Sequence, residues 1–108
     1  MTIKWTPSAK QKYQALLLDV CDKDGYRAAL KLRKEVNEIK KRIKEYPKSA
    51  QKEPLLEGSK FDYRSVPFGS CNKLVYRIVG KVISIDNIWD TRREPKTQAN
   101  ETVNESNE

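Results

Sequence analysis

The sequence predicts an α+β domain with the element order β-α-α-β-β-β, in which an N-terminal helical hairpin packs on one face of an antiparallel sheet. Two observations predict this class. Residues 73–93 contain two alternating apolar segments joined by Gly80-Lys81, a dipeptide suited to a type II′ hairpin turn. Residues 26–45 carry apolar side chains at alternating three- and four-residue spacings, which is typical of a helix packed against another helix. A sheet built around one hairpin and covered by paired helices satisfies both patterns.

The N-terminal half predicts one short strand and two helices. Residues 2–6 alternate apolar and polar side chains, which indicates a strand ended by Pro7. Ser8 and Gln11 form a capping-box pattern, so the first helix is expected to begin near Ser8. A second helix is expected over residues 26–45. Its apolar stripe covers fewer than three heptads, which favours packing on the first helix over a coiled coil with another chain.

The C-terminal half predicts a loop followed by a three-stranded meander. Residues 47–60 are rich in Pro, Gly and Ser and are expected to form a loop with a turn of helix. Residues 61–68 look like a strand, in which Pro67 indicates an edge or a bulge. This strand and the hairpin of residues 73–93 would leave one sheet face partly open, because no further element remains to cover it.

The charge of the chain points to an anionic partner. The formal net charge is +7, from 22 Lys and Arg against 15 Asp and Glu. Residues 97–108 hold three of the glutamates and no apolar periodicity, so they are expected to form a disordered acidic tail. The remaining single domain, residues 1–96, then has 22 basic and 12 acidic side chains, a net charge of +10. Such a surplus suits nucleic acid or an acidic protein; a lysine-rich solvated surface is the alternative.

The residue types argue against several chemistries. The chain has no histidine, and Cys21 and Cys71 have no metal-binding spacing, so neither a metal nor another cofactor is expected. The lack of histidine also argues against the usual nucleophile–histidine pairs. No apolar run approaches the roughly 20 residues of a membrane helix, and the N-terminus lacks the apolar region of a signal peptide. We therefore expect a cytoplasmic protein without a membrane partner.

The remaining candidates for chemistry are cations near the hairpin. Lys73 and Arg77 have the opposite parity to the apolar residues expected to face the helices, so they should project from the open face. Arg64 on the preceding strand and Arg92 and Arg93 at the end of the hairpin could join them. Guanidinium groups donate in a planar fork to phosphate oxygens and can stabilise a pentacoordinate transition state. The alternative is that Arg92 and Arg93 merely balance carboxylates on the surface.

A second basic run lies in the second predicted helix, at Lys40, Lys41, Arg42 and Lys44. One interpretation is an edge of the helix that contacts nucleic-acid phosphates. A solvated helix face with i,i+4 pairs such as Glu38–Arg42 is the alternative interpretation.

Three segments resemble the RelE/ParE toxin superfamily of bacterial type II toxin–antitoxin systems. They are Tyr63–Gly69, Lys73–Ile78 and Ile85–Pro95. The N-terminal strand is similar too, so that the resemblance spans about residues 2–96. The β-α-α-β-β-β layout of the family agrees with the element order predicted above.

The resemblance implies a small toxin that is neutralised by a cognate antitoxin wrapped around it. RelE-like members cleave mRNA in the ribosomal A site without a metal, using basic residues on the sheet face and an arginine near the end of the last strand. At matching positions, Arg92 or Arg93 takes the place of that arginine. Lys73 takes the place of an arginine before the Leu-Val-Tyr run, and Arg64 that of a lysine on the preceding strand. The implied leading function is therefore that of a ribosome-dependent mRNA endoribonuclease.

Two alternatives remain open at this stage. After Arg93 the sequence has no tyrosine or histidine of the kind that such nucleases often carry as a proton acceptor. ParE-like members need no such residue, because they poison DNA gyrase instead. A basic binding module that has lost toxicity is the second alternative.

Overall fold

A five-stranded mixed sheet forms the centre of the protein, which the computed structural model describes over residues 1–106. The strand order is β1-β5-β4-β3-β2. The strands are β1 (Thr2–Trp5), β2 (Gln51–Lys52), β3 (Asp62–Phe68), β4 (Asn72–Val79) and β5 (Val82–Asp90). The helices are α1 (Pro7–Asp24), α2 (Tyr26–Glu45) and α3 (Pro95–Ser106), with a 3-10 turn at Pro54–Leu56. The predicted α+β class and element order are confirmed, and β2 and α3 are additions to it.

The β4–β5 hairpin has the turn that its sequence predicts. Val79 pairs with Val82 across a two-residue loop. Gly80 has a φ of 58°, whereas Lys81 has a negative φ, and this combination is the type II′ pattern. Further along, the register slips between Val75 and Tyr76, so that Asp86 is an extra residue in β5.

The N-terminal cap of α1 lies two residues before the position that the capping pattern predicts. The cap of α1 is Thr6, whose Oγ1 accepts a hydrogen bond from the backbone N–H of Ala9 at 3.1 Å. Pro7 fits the first helical position because it has no N–H to satisfy there. The capping box expected at Ser8 is therefore wrong. The second helix has its predicted bounds.

The two helices cover one face of the sheet, as predicted. From α2 this core receives the stripe Leu32, Val36, Ile39 and Ile43. The sheet contributes alternating residues, among them Leu74, Tyr76, Ile83 and Ile85, all fully buried. At one edge of the sheet, β1 pairs in parallel with β5, and its other side is free of strands in residues 1–106.

The opposite face of the sheet is also covered, which corrects the expectation of an open face. A second core contains Leu56 of the 3-10 turn, Tyr63, Val75 and Trp89, with Ala99 and Val103 of α3 packed against it. Residues 97–106 belong to α3, so the expectation of a disordered tail is wrong for them. Their polar side chains attach the helix by hydrogen bonds, which a search for apolar periodicity does not detect. Residues 107 and 108 of the expected tail lie outside the described residues.

Two further observations concern membrane-spanning helices and the cysteines. None of the helices within residues 1–106 is both long and apolar enough to span a membrane. Cys21 and Cys71 are half-buried free thiols.

Candidate functional site

Lys73 is placed on the predicted sheet face, but its charge is neutralised there. Its ammonium contacts the carboxylate of Glu53, whose side chain is fully buried. Glu53 also accepts hydrogen bonds from Ser65 Oγ at 3.1 Å and from the backbone N–H of Leu55 at 2.8 Å. The Lys73 ammonium further lies 5.1 Å from the ring centroid of Trp89, a cation–π distance. Lys73 therefore serves to compensate a buried carboxylate.

Arg77 lies on the same face and is neutralised in the same way. Its Nε is 2.9 Å from Oδ2 of Asp86, a fully buried carboxylate at the β5 bulge. Ser84 Oγ donates a hydrogen bond to the other oxygen of that carboxylate. The guanidinium carbon of Arg77 lies 4.3 Å from the ring centroid of Phe61. Arg77 is thus held between a carboxylate and an aromatic ring rather than offered to a ligand.

Arg64 lies on the opposite face from Lys73 and Arg77. It pairs across the sheet with Tyr76, which belongs to the core beneath the helices. Its Nη1 donates to the backbone carbonyls of Lys48 at 3.2 Å and Ala50 at 2.8 Å. The expected grouping of Arg64 with Lys73 and Arg77 is therefore wrong, because the β3–β4 register puts the side chains on different faces. In this position Arg64 fastens the chain before β2 to the sheet.

Arg92 and Arg93 lie in the exposed segment after β5. Arg92 forms a two-pronged ion pair with Asp90, in which Nε–Oδ1 and Nη2–Oδ2 are both 3.1 Å. Hydrogen bonds from the Arg92 side chain and backbone hold the pKa of Asp90 below its usual value. The Arg92 side chain still exposes 75% of its surface. Arg93 is exposed and forms no ion pair within the described residues.

A polar seam between β5 and α3 was not foreseen from the sequence. Thr102 Oγ1 accepts hydrogen bonds from Asn87 Nδ2 at 2.8 Å and from Trp89 Nε1 at 3.0 Å. The Gln98 amide accepts from the backbone N–H of Asp90 at 2.7 Å and donates to its carbonyl at 2.9 Å. Gln98 and Thr102 are buried, and their i,i+4 spacing is the signal that could have revealed them.

Lys12 of α1 closes the end of this seam. Its ammonium donates to Asn87 Oδ1 at 2.8 Å and to a carboxylate oxygen of Glu101 at 2.9 Å. It thereby links α1, β5 and α3. The sheet face under α3 consequently resembles a sealed core more than an open reaction site. Within residues 1–106, no cluster of three or more Cys, Asp and Glu side chains is arranged to hold a metal ion.

The basic run of α2 lies on a different surface. Lys40, Lys41 and Lys44 line a groove between α2 and β1, and the Lys40 ammonium lies 5.7 Å from the ring centroid of Trp5. Arg42 is exposed outside this groove. The pair Glu38–Arg42 does not form, and none of the four cations has an ion-pair partner within residues 1–106.

Comparisons with known proteins agree with this fold. A family model described as the ParE toxin of the type II toxin–antitoxin system parDE matches residues 3–95. The structure resembles a chain of the chromosomal ParDE TA system from P. aeruginosa with a TM-score of 0.66 and 22% sequence identity, covering 83% of this chain and 95% of that one. A comparison with curated proteins finds no match. Since the family model spans most of its length, the chain belongs to the ParE toxin family of type II toxin–antitoxin systems.

Proposed function

We propose that this toxin arrests growth by inhibiting DNA gyrase and does not cleave mRNA. The observation that carries the proposal is the neutralisation of the sheet-face cations. Lys73 and Arg77, which a nuclease would present to RNA, each contact a fully buried carboxylate beneath a covered face. A gyrase inhibitor needs a binding surface and no reactive group.

The chemistry of RNA cleavage supports the same choice. Attack by a 2′-hydroxyl requires a proton acceptor and cations that are free to stabilise the phosphorane. On this face the carboxylates of Glu53 and Asp86 are already occupied by Lys73 and Arg77. Withdrawing either cation toward a phosphate would leave a buried carboxylate uncompensated, which costs about 3–5 kcal/mol in fully buried pairs and less here, because both cations keep some solvent contact.

A cognate antitoxin is the second partner in the proposal. Type II toxins are held inactive by an antitoxin protein, and the structural relative from P. aeruginosa is described as part of such a ParDE system. The net charge of +7 suits an acidic segment of that antitoxin. The antitoxin would therefore prevent gyrase inhibition when added before the toxin.

The direct test is a supercoiling assay with purified gyrase and relaxed plasmid. We expect the toxin to inhibit supercoiling, and preincubation with its cognate antitoxin to restore the reaction. In parallel, a reporter mRNA in a translating extract should stay intact when the toxin is added. Cleaved transcripts together with unimpaired gyrase would reject the proposal in favour of the endoribonuclease.

A further inference from the structure

A groove between the free edge of β1 and the helical hairpin has only positive charges among its charged side chains. Two adjoining concavities form it, and they share Trp5, Asn37 and Lys40. Its charged lining residues are Lys10, Arg33, Lys40, Lys41 and Lys44, which we call the cationic groove. No carboxylate belongs to the lining of either concavity.

The charges of the cationic groove are uncompensated within residues 1–106. None of its five cations lies within 4.0 Å of a carboxylate oxygen, whereas Lys12, Arg64, Lys73 and Arg77 all do. The acidic residues of α2 lie elsewhere on the helix. Glu35, for example, accepts a hydrogen bond from the backbone N–H of Gly69 at 3.1 Å. The groove-facing stripe of α2 therefore carries basic residues and no acidic ones, although other basic residues of the helix, such as Arg27 and Lys34, lie outside the groove.

Three cations of α2 lie with Asn37 along one straight track. Arg33, Asn37, Lys40 and Lys44 recur at spacings of four, three and four residues, so they share one stripe of the helix. At a rise of 1.5 Å per residue, this stripe is about 16 Å long. A DNA duplex carries one phosphate charge per about 1.7 Å of its axis, so a stripe of this length lies beside several phosphates.

We propose that the cationic groove binds the phosphate backbone of double-stranded DNA. The proposal rests on the proposed function, because a toxin bound to gyrase lies beside the DNA that gyrase holds. The side chains along the track carry N–H donors, as a backbone of acceptors requires.

A protein segment is the less suitable occupant, because it would have to supply a carboxylate for each of the five cations, whereas a duplex presents a phosphate at every nucleotide. The two aromatic rings of the groove are already engaged. Trp5 stacks on Tyr13 with a centroid distance of 5.1 Å, and Lys40 covers its ring.

The experiment measures binding of the purified toxin to a short, fluorescein-labelled DNA duplex of mixed sequence, by anisotropy at increasing salt. One phosphate contact for each of the five cations of the cationic groove predicts that the logarithm of the binding constant falls with the logarithm of salt with a slope of about −4.5. The variant Lys40→Gln/Lys41→Gln/Lys44→Gln should lower the steepness by about 2.7. Lys41→Gln/Lys44→Gln, which leaves Lys40 on Trp5, should lower it by about 1.8.

The matched control is Arg27→Gln/Lys31→Gln/Lys34→Gln, which removes the same charge from exposed positions of α2 outside the groove. Its slope should differ from the wild-type slope by no more than about 0.9, the contribution of one phosphate contact. Equal losses in the two triple variants would overturn the proposal, because net charge would then explain binding. Binding of polyglutamate or single-stranded RNA in the groove, with none of duplex DNA, would overturn it as well.

The gyrase assay separates this proposal from the proposed function. If the toxin inhibits gyrase but does not bind free duplex DNA, DNA binding by the cationic groove is rejected and the proposed gyrase target is kept. If DNA binding depends on the groove but the toxin has no effect on gyrase, DNA binding by the cationic groove is supported and gyrase inhibition is rejected.

Discussion

The ammonium of Lys73 lies against the carboxylate of Glu53, a side chain with no solvent exposure, in a sequence position where the family resemblance suggested a catalytic cation. The pair joins β4 to the segment before the 3-10 turn. It also shows the role of the cation on the sheet face that α3 covers. A charge that compensates a buried carboxylate stabilises the fold and is not free to bind a phosphate.

Changing one member of this pair should destabilise the protein more than changing both. We expect Lys73→Gln to lower the free energy of unfolding by up to about 3 kcal/mol, less than for a fully buried pair because Lys73 keeps some solvent contact. Glu53→Gln/Lys73→Gln should recover much of this loss, because no uncompensated charge remains. Urea unfolding followed by circular dichroism measures both values.

The same double variant tests the function. Since the gyrase proposal gives Lys73 no chemical role, folded Glu53→Gln/Lys73→Gln should still arrest growth and inhibit supercoiling. Loss of toxicity in a double variant that unfolds at wild-type urea concentrations would indicate that Lys73 acts in chemistry.

The attachment of α3 should depend on one hydroxyl. Thr102→Val removes the acceptor for Asn87 Nδ2 and Trp89 Nε1, so Trp89 Nε1 loses its partner and Asn87 Nδ2 keeps only the longer bond to the Gln98 carbonyl at 3.5 Å. We expect the free energy of unfolding to fall by about 2 kcal/mol or more, and the indole N–H resonance of Trp89 to shift. Thr97→Val, at an exposed position of the same helix, is the control and should change neither. If Thr102→Val leaves the stability unchanged, the hydrogen bonds to Thr102 do not stabilise the attachment of α3 to β5.

The pKa of Asp90 should rise when Arg92 loses its guanidinium. In the wild type, hydrogen bonds from Arg92 hold this pKa below its usual range. The associated stabilisation is present above the unfolded pKa of about 3.9 and is lost as the pH falls through the lower folded value. Arg92→Gln should bring the pKa back toward the ordinary value, as measured by NMR titration of the side-chain carboxyl carbon. Arg93→Gln should raise it less, since Arg93 contributes only at a distance.

The exposed arginines after β5 should matter for the target rather than for the fold. Arg92→Ala/Arg93→Ala should leave the unfolding midpoint nearly unchanged, because both side chains are exposed. If they contact gyrase, the concentration of toxin needed for half inhibition should rise about 30-fold or more, as for interface arginines that dominate binding. Lys52→Ala/Lys81→Ala, which removes two exposed cations elsewhere, is the control. Undiminished inhibition by the arginine variant would exclude these residues from the contact.

Local sequence patterns predicted those helices and strands in which apolar residues recur at regular spacing. The stripe of α2 gave the bounds Tyr26–Glu45, and Gly80-Lys81 specified the turn between β4 and β5. Helix α3 was missed because its attachment is polar. Gln98 and Thr102 bond to one strand through hydroxyl and amide groups, and a search for apolar residues finds only Ala99 and Val103 there.

The sequence by itself determined the fold class, the helical hairpin, the meander and the parity that separates Lys73 and Arg77 from the helix-facing core. Tertiary structure alone decided what those two cations do, because Glu53 and Asp86 reach them from 20 and 9 residues away in the chain. It also decided that Arg64 faces the other way, since its side depends on the β3–β4 register. The physical reason is that periodicity reports which face a side chain occupies, whereas the availability of its charge depends on carboxylates brought there by folding.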